Sequence, residues 1–204
     1  LKAILGQREY EGIIAFSEPG QRSKKPRIGY VPQSPAFDPS DPVCVADLFA
    51  CCMSKRPAFL GQSKALREKI SLCLERVHSE SLIDKRVGTL SGGESQKVAI
   101  ARIFARPYDL IIMDEPSSAL DPAAEYELNH TILEYAKDKT VVFISHRLST
   151  TRIADRILMF ADGKLIESGS HDELMAQNGK YAEMFRVQSE KYQSDNNATA
   201  TGED

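Results

Sequence analysis

The sequence predicts an α/β fold: a mostly parallel sheet flanked by helices, with a helical subdomain inserted into it. Three observations carry this. Leu110-Ile111-Ile112-Met113 and Val141-Val142-Phe143-Ile144 are uninterrupted apolar runs, as in strands covered on both faces. From Gly92 onward such runs alternate with helix-patterned stretches, the order from which parallel sheets are built. Residues 41–86 hold helical spacing alone, with no alternating strand pattern.

The elements follow in chain order. Leu1, Ile4 and Leu5 have helical spacing, and Gly6 suits the end of that helix. Residues 7–33 read as short strands with a polar turn from Pro19 to Pro26. The last of these strands runs into Pro32-Gln33-Ser34-Pro35, where the prolines end sheet pairing. Helices are expected over Val43–Met53 and Ser63–Val77, and again from Ser91 through Phe104. A strand over 109–113, a helix over 122–137 with Pro122 in its first turn, and a strand over 140–144 come next. A short helix near Thr150 precedes a strand over 155–160, which Asp162-Gly163 joins to Lys164–Glu167 as a hairpin. Ser170 and Glu173 form a capping box, and a final helix covers Tyr181–Gln188. Ser194–Asp204 is polar and expected to be disordered. The expected organisation is one domain over 1–190, its helical subdomain at about 41–90, and a tail over 191–204.

Composition narrows the class. A hydrophobic content of 42% supports a core, and a net charge of −3 gives no reason to invoke nucleic acid. No apolar run is long enough to span a bilayer, and no signal peptide is visible, so a membrane would be reached through a partner or a further segment. Cys44, Cys51, Cys52 and Cys73 have no metal-ligand spacing and are expected as reduced thiols.

The chemistry concentrates at a few places. Asp114 and Glu115 end the strand at 109–113, where open α/β sheets bind ligands. Neighbouring strand residues point to opposite faces, so the two carboxylates cannot do the same job. Ser91-Gly92-Gly93 opens a helix with a hydroxyl and free backbone N–H groups at the positive end of the macrodipole, which suits an anion. Gln33 in a loop and His146 at a strand end carry little meaning alone. Asp121, ahead of Pro122, reads as a helix N-cap.

Taken together, in this order, these segments resemble the ATPase cassettes of ATP-binding-cassette (ABC) proteins, whose fold is of the P-loop NTPase type. Leu90-Ser91-Gly92-Gly93-Glu94 is similar to the signature loop, with Glu94 where many members carry Gln. Leu110–Met113 with Asp114-Glu115-Pro116 resembles the Walker B strand, Gln33 the Q-loop, His146 the switch histidine and Ser117–Asp121 the D-loop. The resemblance implies that Asp114 and Gln33 hold Mg²⁺, that Glu115 orients the attacking water, and that His146 touches the γ-phosphate of ATP. It implies that Ser91, Gly92, Gly93 and Glu94 cap ATP held by a second cassette, with Asp121 at that interface. It also implies a transmembrane transporter domain or subunit as partner, and a place on the cytoplasmic face of a membrane.

The resemblance covers residues 1 to about 190 unevenly. Residues 1–94 are most similar to importer ATPases of metal-ion uptake, through Ile28–Gln33 and Asp84–Thr89 ahead of the signature. From about Lys97 the chain resembles ABC exporters, through Ile144–Thr150, Ala154–Ile157, Glu167–Leu174 and Gly179-Lys180-Tyr181. No G-x-x-x-x-G-K-[ST] occurs in the 204 residues, and the expectation is that the P-loop and its strand lie upstream, leaving this chain inactive alone. A soluble, non-transport ABC ATPase and a regulatory cassette without hydrolysis are the alternatives.

Overall fold

The computed structural model describes residues 1–16, 26–35, 37–55, 57, 61–145 and 147–200, with the side chains of 122, 123, 148, 149 and 191–200 excepted. It divides into two units, Leu1–Ile144 and Ser145–Asp204.

The first unit is built on a three-stranded parallel sheet in which β2 (Leu110–Asp114) lies between β1 (Ile28–Val31) and β3 (Thr140–Ile144). The ladders are in register: Ile28 faces Leu110, Val31 faces Met113, and Asp114 faces Ile144. Ile111, Ile112 and Met113 are buried, as their unbroken apolar run requires. β3 differs from the expected fully buried strand. Val142 and Ile144 are 40% and 38% exposed. Among the described residues Thr140, Val142 and Ile144 are exposed while Val141 and Phe143 between them are half-buried, so one face of β3 is left open. A sequence of apolar residues alone does not reveal which face is covered.

Between β1 and β2 the chain forms α1 (Val45–Met53), α2 (Lys64–Glu75) and α3 (Gly92–Ala101), the last continuing into a 3-10 turn over Arg102–Ala105. Each helix buries a stripe at i, i+3, i+4 spacing: Val45, Ala46 and Phe49 in α1, Ile70, Cys73 and Leu74 in α2. These meet Val98, Ile100 and Ile103 in one apolar cluster that also takes in Val31, Ile111 and Met113 of the sheet. Each Val, Leu, Ile, Phe or Met side chain among these contributes about 1.5–3 kcal/mol of transfer free energy. α4 (Pro122–Ala136) returns the chain to β3 and buries Leu128 and Ile132, one turn apart.

The opening residues end in a left-handed glycine. Gly6 has φ +71°, its N–H donates to Ala3 O at 3.0 Å, and the Gln7 N–H donates to Lys2 O at 2.8 Å. These are the bonds of a Schellman turn, but the helix expected from the spacing of Leu1, Ile4 and Leu5 does not form: residues 2–6 are hydrogen-bonded turns, a segment too short to sustain a helix by itself. The short strands expected over 7–33 reduce, among the described residues, to β1. Among the described residues, 7–16 have no partner strand, and without a ladder an extended segment is not a strand. The expected turn from Pro19 to Pro26 lies largely outside the described residues.

The second unit holds α5 (Leu148–Arg152), the hairpin β4 (Ile157–Ala161) and β5 (Lys164–Gly169), α6 (His171–Gln177) and α7 (Lys180–Ala200). Asp162 and Gly163 both have positive φ, +48° and +73°, as a type I′ turn demands. The Ser170–Glu173 capping box forms. The Glu167 carboxylate accepts the Lys180 and Tyr181 amides at 2.6 and 3.0 Å, satisfying the open end of α7. That helix continues to Ala200, beyond the end expected at Gln188 and into the tail expected to be disordered. No Pro or Gly interrupts residues 181–200, so nothing in the backbone stops it. Among the described residues, no helix is long and apolar enough to cross a membrane.

Candidate functional site

Parallel, in-register pairing puts the carboxyl ends of β1 and β2 side by side. Asp109 fixes that register at the other end. Its carboxylate accepts the Arg27 amide at 2.8 Å and its own N–H donates to Arg27 O at 2.9 Å. Pro32-Gln33 therefore emerges beside Asp114-Glu115, at the edge where open α/β sheets hold ligands.

The two carboxylates have different partners, as adjacent positions require. The Gln33 side-chain N–H donates to Glu115 Oε2 at 2.8 Å. The Tyr30 hydroxyl donates to Asp114 Oδ2 at 3.4 Å. Burial, reinforced by the negative charge of Asp114, pushes the Tyr30 hydroxyl above its ordinary range, so it stays protonated and remains a donor. Glu115 has φ +45°, a left-handed conformation that costs a non-glycine residue about 1–3 kcal/mol. It is held there by its N–H to Ile144 O at 2.8 Å and by the Ser118 N–H to its own carbonyl at 3.1 Å. Strain retained at one residue and over-determined by its neighbours marks a position where direction matters.

A second group of predicted residues opens α3. Ser91 Oγ accepts the Glu94 amide at 3.2 Å, and Glu94 Oε2 accepts the Ser91 amide at 2.8 Å. Lys85 Nζ donates to both Glu94 oxygens at 2.8 Å. These bonds, Lys85 first, hold the Glu94 carboxyl below its ordinary range. Among the described residues, the Gly92 and Gly93 amides meet no protein acceptor, and Gly92 is exposed. A Cβ on Gly93 would come within 3.3 Å of Ala119 O and 3.6 Å of Leu120 Cδ2, so the start of α3 lies against the loop ahead of α4. Asp121 caps α4, accepting the Ala124 amide at 3.0 Å. His146 lies outside the described residues.

Three residues of this region are not apparent as site residues from sequence. Tyr30 meets Asp114 across 84 positions. Gln96, 1% exposed, donates to Pro32 O at 3.3 Å and so ties α3 to the residue before Gln33. Its signal is a polar residue in line with Ile100 and Ile103 on a buried stripe. Lys85 has no local signal, because its partner is defined only once α3 begins.

The donors at the ends of β1 and β2 are carboxylate, amide and hydroxyl oxygens, which fit a hard divalent cation such as Mg²⁺. Among the described residues, no group of three or more His, Cys, Asp or Glu able to hold a metal occurs. The open amides of Gly92 and Gly93 fit an anion.

A strained acidic residue after a central parallel strand, a Gln at its side and a serine-capped diglycine helix start belong together in one class of ATPase fold. The ABC transporter family model matches residues 1–118, and the chain belongs to that family. It is 40% identical to an ATP-dependent lipid A-core flippase of Vibrio vulnificus over 152 residues, which cover 69% of this chain and 26% of the flippase. It is 46% identical to the flippase of Vibrio parahaemolyticus over the same coverage. A beta-(1→2)glucan export ATP-binding/permease protein, NdvA, of Rhodopseudomonas palustris is 39% identical over 156 residues, 71% of this chain and 26% of its own length. The chain thus spans about a quarter of the curated relatives it matches. The solved structure of a bacterial Atm1-family ABC exporter with ATP bound superposes with a TM-score of 0.67 at 31% identity, covering 80% of this chain and 29% of that one. The mostly parallel sheet with flanking helices is the P-loop NTPase type of α/β fold.

Proposed function

We propose that this chain is the ATP-binding and ATP-hydrolysing cassette of an ABC membrane transporter, paired head to tail with a second cassette on the cytoplasmic face. The observation that carries the reading is the 2.8 Å hydrogen bond from Gln33 to a Glu115 held in a left-handed conformation, next to Asp114. Phosphoryl transfer needs an oriented water and neutralised charge, with little covalent work for the protein. Glu115, its carboxylate aligned by Gln33, orients the attacking water and takes its proton. Asp114 and Gln33 hold Mg²⁺, with Tyr30 fixing the Asp114 carboxylate. Mg²⁺, when bound, supplies positive charge to the phosphate oxygens. Ser91, Gly92 and Gly93 offer donors to the γ-phosphate of ATP held by the partner cassette, with Glu94 shaping their loop and Asp121 at the same interface. His146 contacts the same phosphate. The exporter relatives favour outward transport, and a transmembrane domain or subunit as the element driven.

The 204 residues contain no P-loop motif, so hydrolysis requires one supplied from outside them, and the chain alone is inactive. The test uses the chain preceded by a P-loop segment from an exporter cassette. Glu115→Gln keeps ATP binding and lowers turnover by at least about a hundredfold, the scale of a lost catalytic base. Turnover near the parent rate removes Glu115 from that role.

A further inference from the structure

The start of α3 presents an electrostatic conflict. A helix N-terminus attracts anions through its open amides and macrodipole. Glu94 places a carboxylate in its first turn, where it satisfies the Ser91 amide but would repel a phosphate. Lys85 resolves the conflict. Its ammonium donates to both Glu94 oxygens at 2.8 Å, with the two side chains 37% and 30% exposed. Lys85 is itself fixed by backbone bonds: its N–H donates to Leu82 O at 2.9 Å, and its carbonyl accepts the Val45 amide at 3.0 Å. The ammonium is thus delivered by the segment paired with the entry to α1, not by a mobile surface loop.

We propose that Lys85 is a positioning residue that neutralises Glu94, so that Ser91-Gly92-Gly93 keeps its affinity for an anion while its capping box remains intact. This rests on the reading of that loop as the cap on a partner-held phosphate. A salt bridge of purely structural use would matter through its presence. A neutralising one matters through the charge it removes, and removing the carboxylate then substitutes for it.

The experiment measures the ATP concentration that half-saturates dimer formation, and the melting midpoint, in the full chain preceded by a P-loop segment and carrying Glu115→Gln, which is the parent for these comparisons; kcat is read in the same variants with Glu115 intact. Lys85→Met retains the apolar stem and leaves the Glu94 charge bare. It raises half-saturation about tenfold, the scale of one uncompensated charge acting on a multiply charged phosphate near a protein surface, with a smaller change in kcat. Lys85→Arg stays within about twofold. Lys85→Met with Glu94→Gln has no ion pair, yet the neutral amide oxygen still accepts the Ser91 N–H, and half-saturation returns to within about twofold of the parent. A double variant as weak as Lys85→Met, or a Lys85→Met as strong as the parent, overturns the proposal while leaving the cassette reading intact. A parent that shows no ATP-dependent dimer overturns the cassette reading and this proposal with it. Should Lys85→Met fail to fold, recovery of folding without recovery of affinity in the double variant overturns it equally.

Discussion

Gly88 stands three residues before Ser91 and has no room for a side chain. A Cβ there would lie 2.5 Å from Asp38 O, 2.7 Å from Pro39 O and 2.8 Å from Pro39 C. All three are backbone atoms of the loop that follows Gln33, so no side chain can rotate away. The next amide, Thr89 N, closes a turn on Arg86 O, and Val87 N donates to Val43 O, so the segment cannot retreat either. Two effects compete in Gly88→Ala. Restricting the unfolded chain stabilises by about 0.4–1 kcal/mol. Forcing the loops apart costs about 1–3 kcal/mol. Taking the middle of each range, the steric effect wins by about 1.3 kcal/mol, which lowers the melting midpoint by about 3–5 °C for a chain of this size. Far-UV circular dichroism melts of the chain preceded by a P-loop segment, at matched low concentration, read the shift. A midpoint unchanged or raised would refute the close approach of residues 38–40 to the segment leading into α3.

Other outcomes follow from the same geometry. The 204 residues alone, lacking the P-loop donors, each worth about 1.5–3 kcal/mol, bind Mg-ATP at millimolar affinity or weaker, and micromolar binding by calorimetry would place ATP elsewhere. The outer edge of β3, with Val142 and Ile144 exposed, drives self-association and binding of a hydrophobic dye; supplying an upstream P-loop segment suppresses both, whereas a monodisperse sample with a sharp melt contradicts this. Glu94, whose carboxyl is held below its ordinary range by Lys85, contributes stability that is complete above the unfolded-state pKa of about 4.3 and fades as pH falls through the lower folded value. Acid titration of the melting midpoint loses that contribution in Glu94→Gln; an identical acid limb in parent and variant excludes it.

Much of this architecture is legible in the sequence because it follows from local rules. The N-cap at Ser91, the capping box at Ser170, the Asp162-Gly163 turn and the apolar run of β2 are each set by residues within a few positions of one another. Asp114 and Glu115 are readable as a pair because a strand end fixes where they lie. What sequence leaves out is long-range. The Tyr30 partner is 84 residues away and the Gln96 partner 64, and only the folded chain brings them together. The exposure of β3 depends on which neighbours pack on it, and Thr140–Ile144 has the same apolar run whether covered on one face or two. α7 extends through polar residues of weak propensity because none of them breaks a helix, a property that composition-based disorder reasoning does not weigh. The left-handed Glu115 has no signature of its own, since Glu is not a residue that favours that conformation.

The central claim is that Asp114, Glu115 and Gln33 form half of a nucleotide site completed by the diglycine loop of a second cassette. Sedimentation of the Glu115→Gln chain, preceded by a P-loop segment, measures this most directly. The chain is expected as a monomer without nucleotide and as a stable dimer with Mg-ATP, which persists because hydrolysis no longer opens it. A monomer at saturating Mg-ATP, with binding confirmed in the same sample, would contradict it.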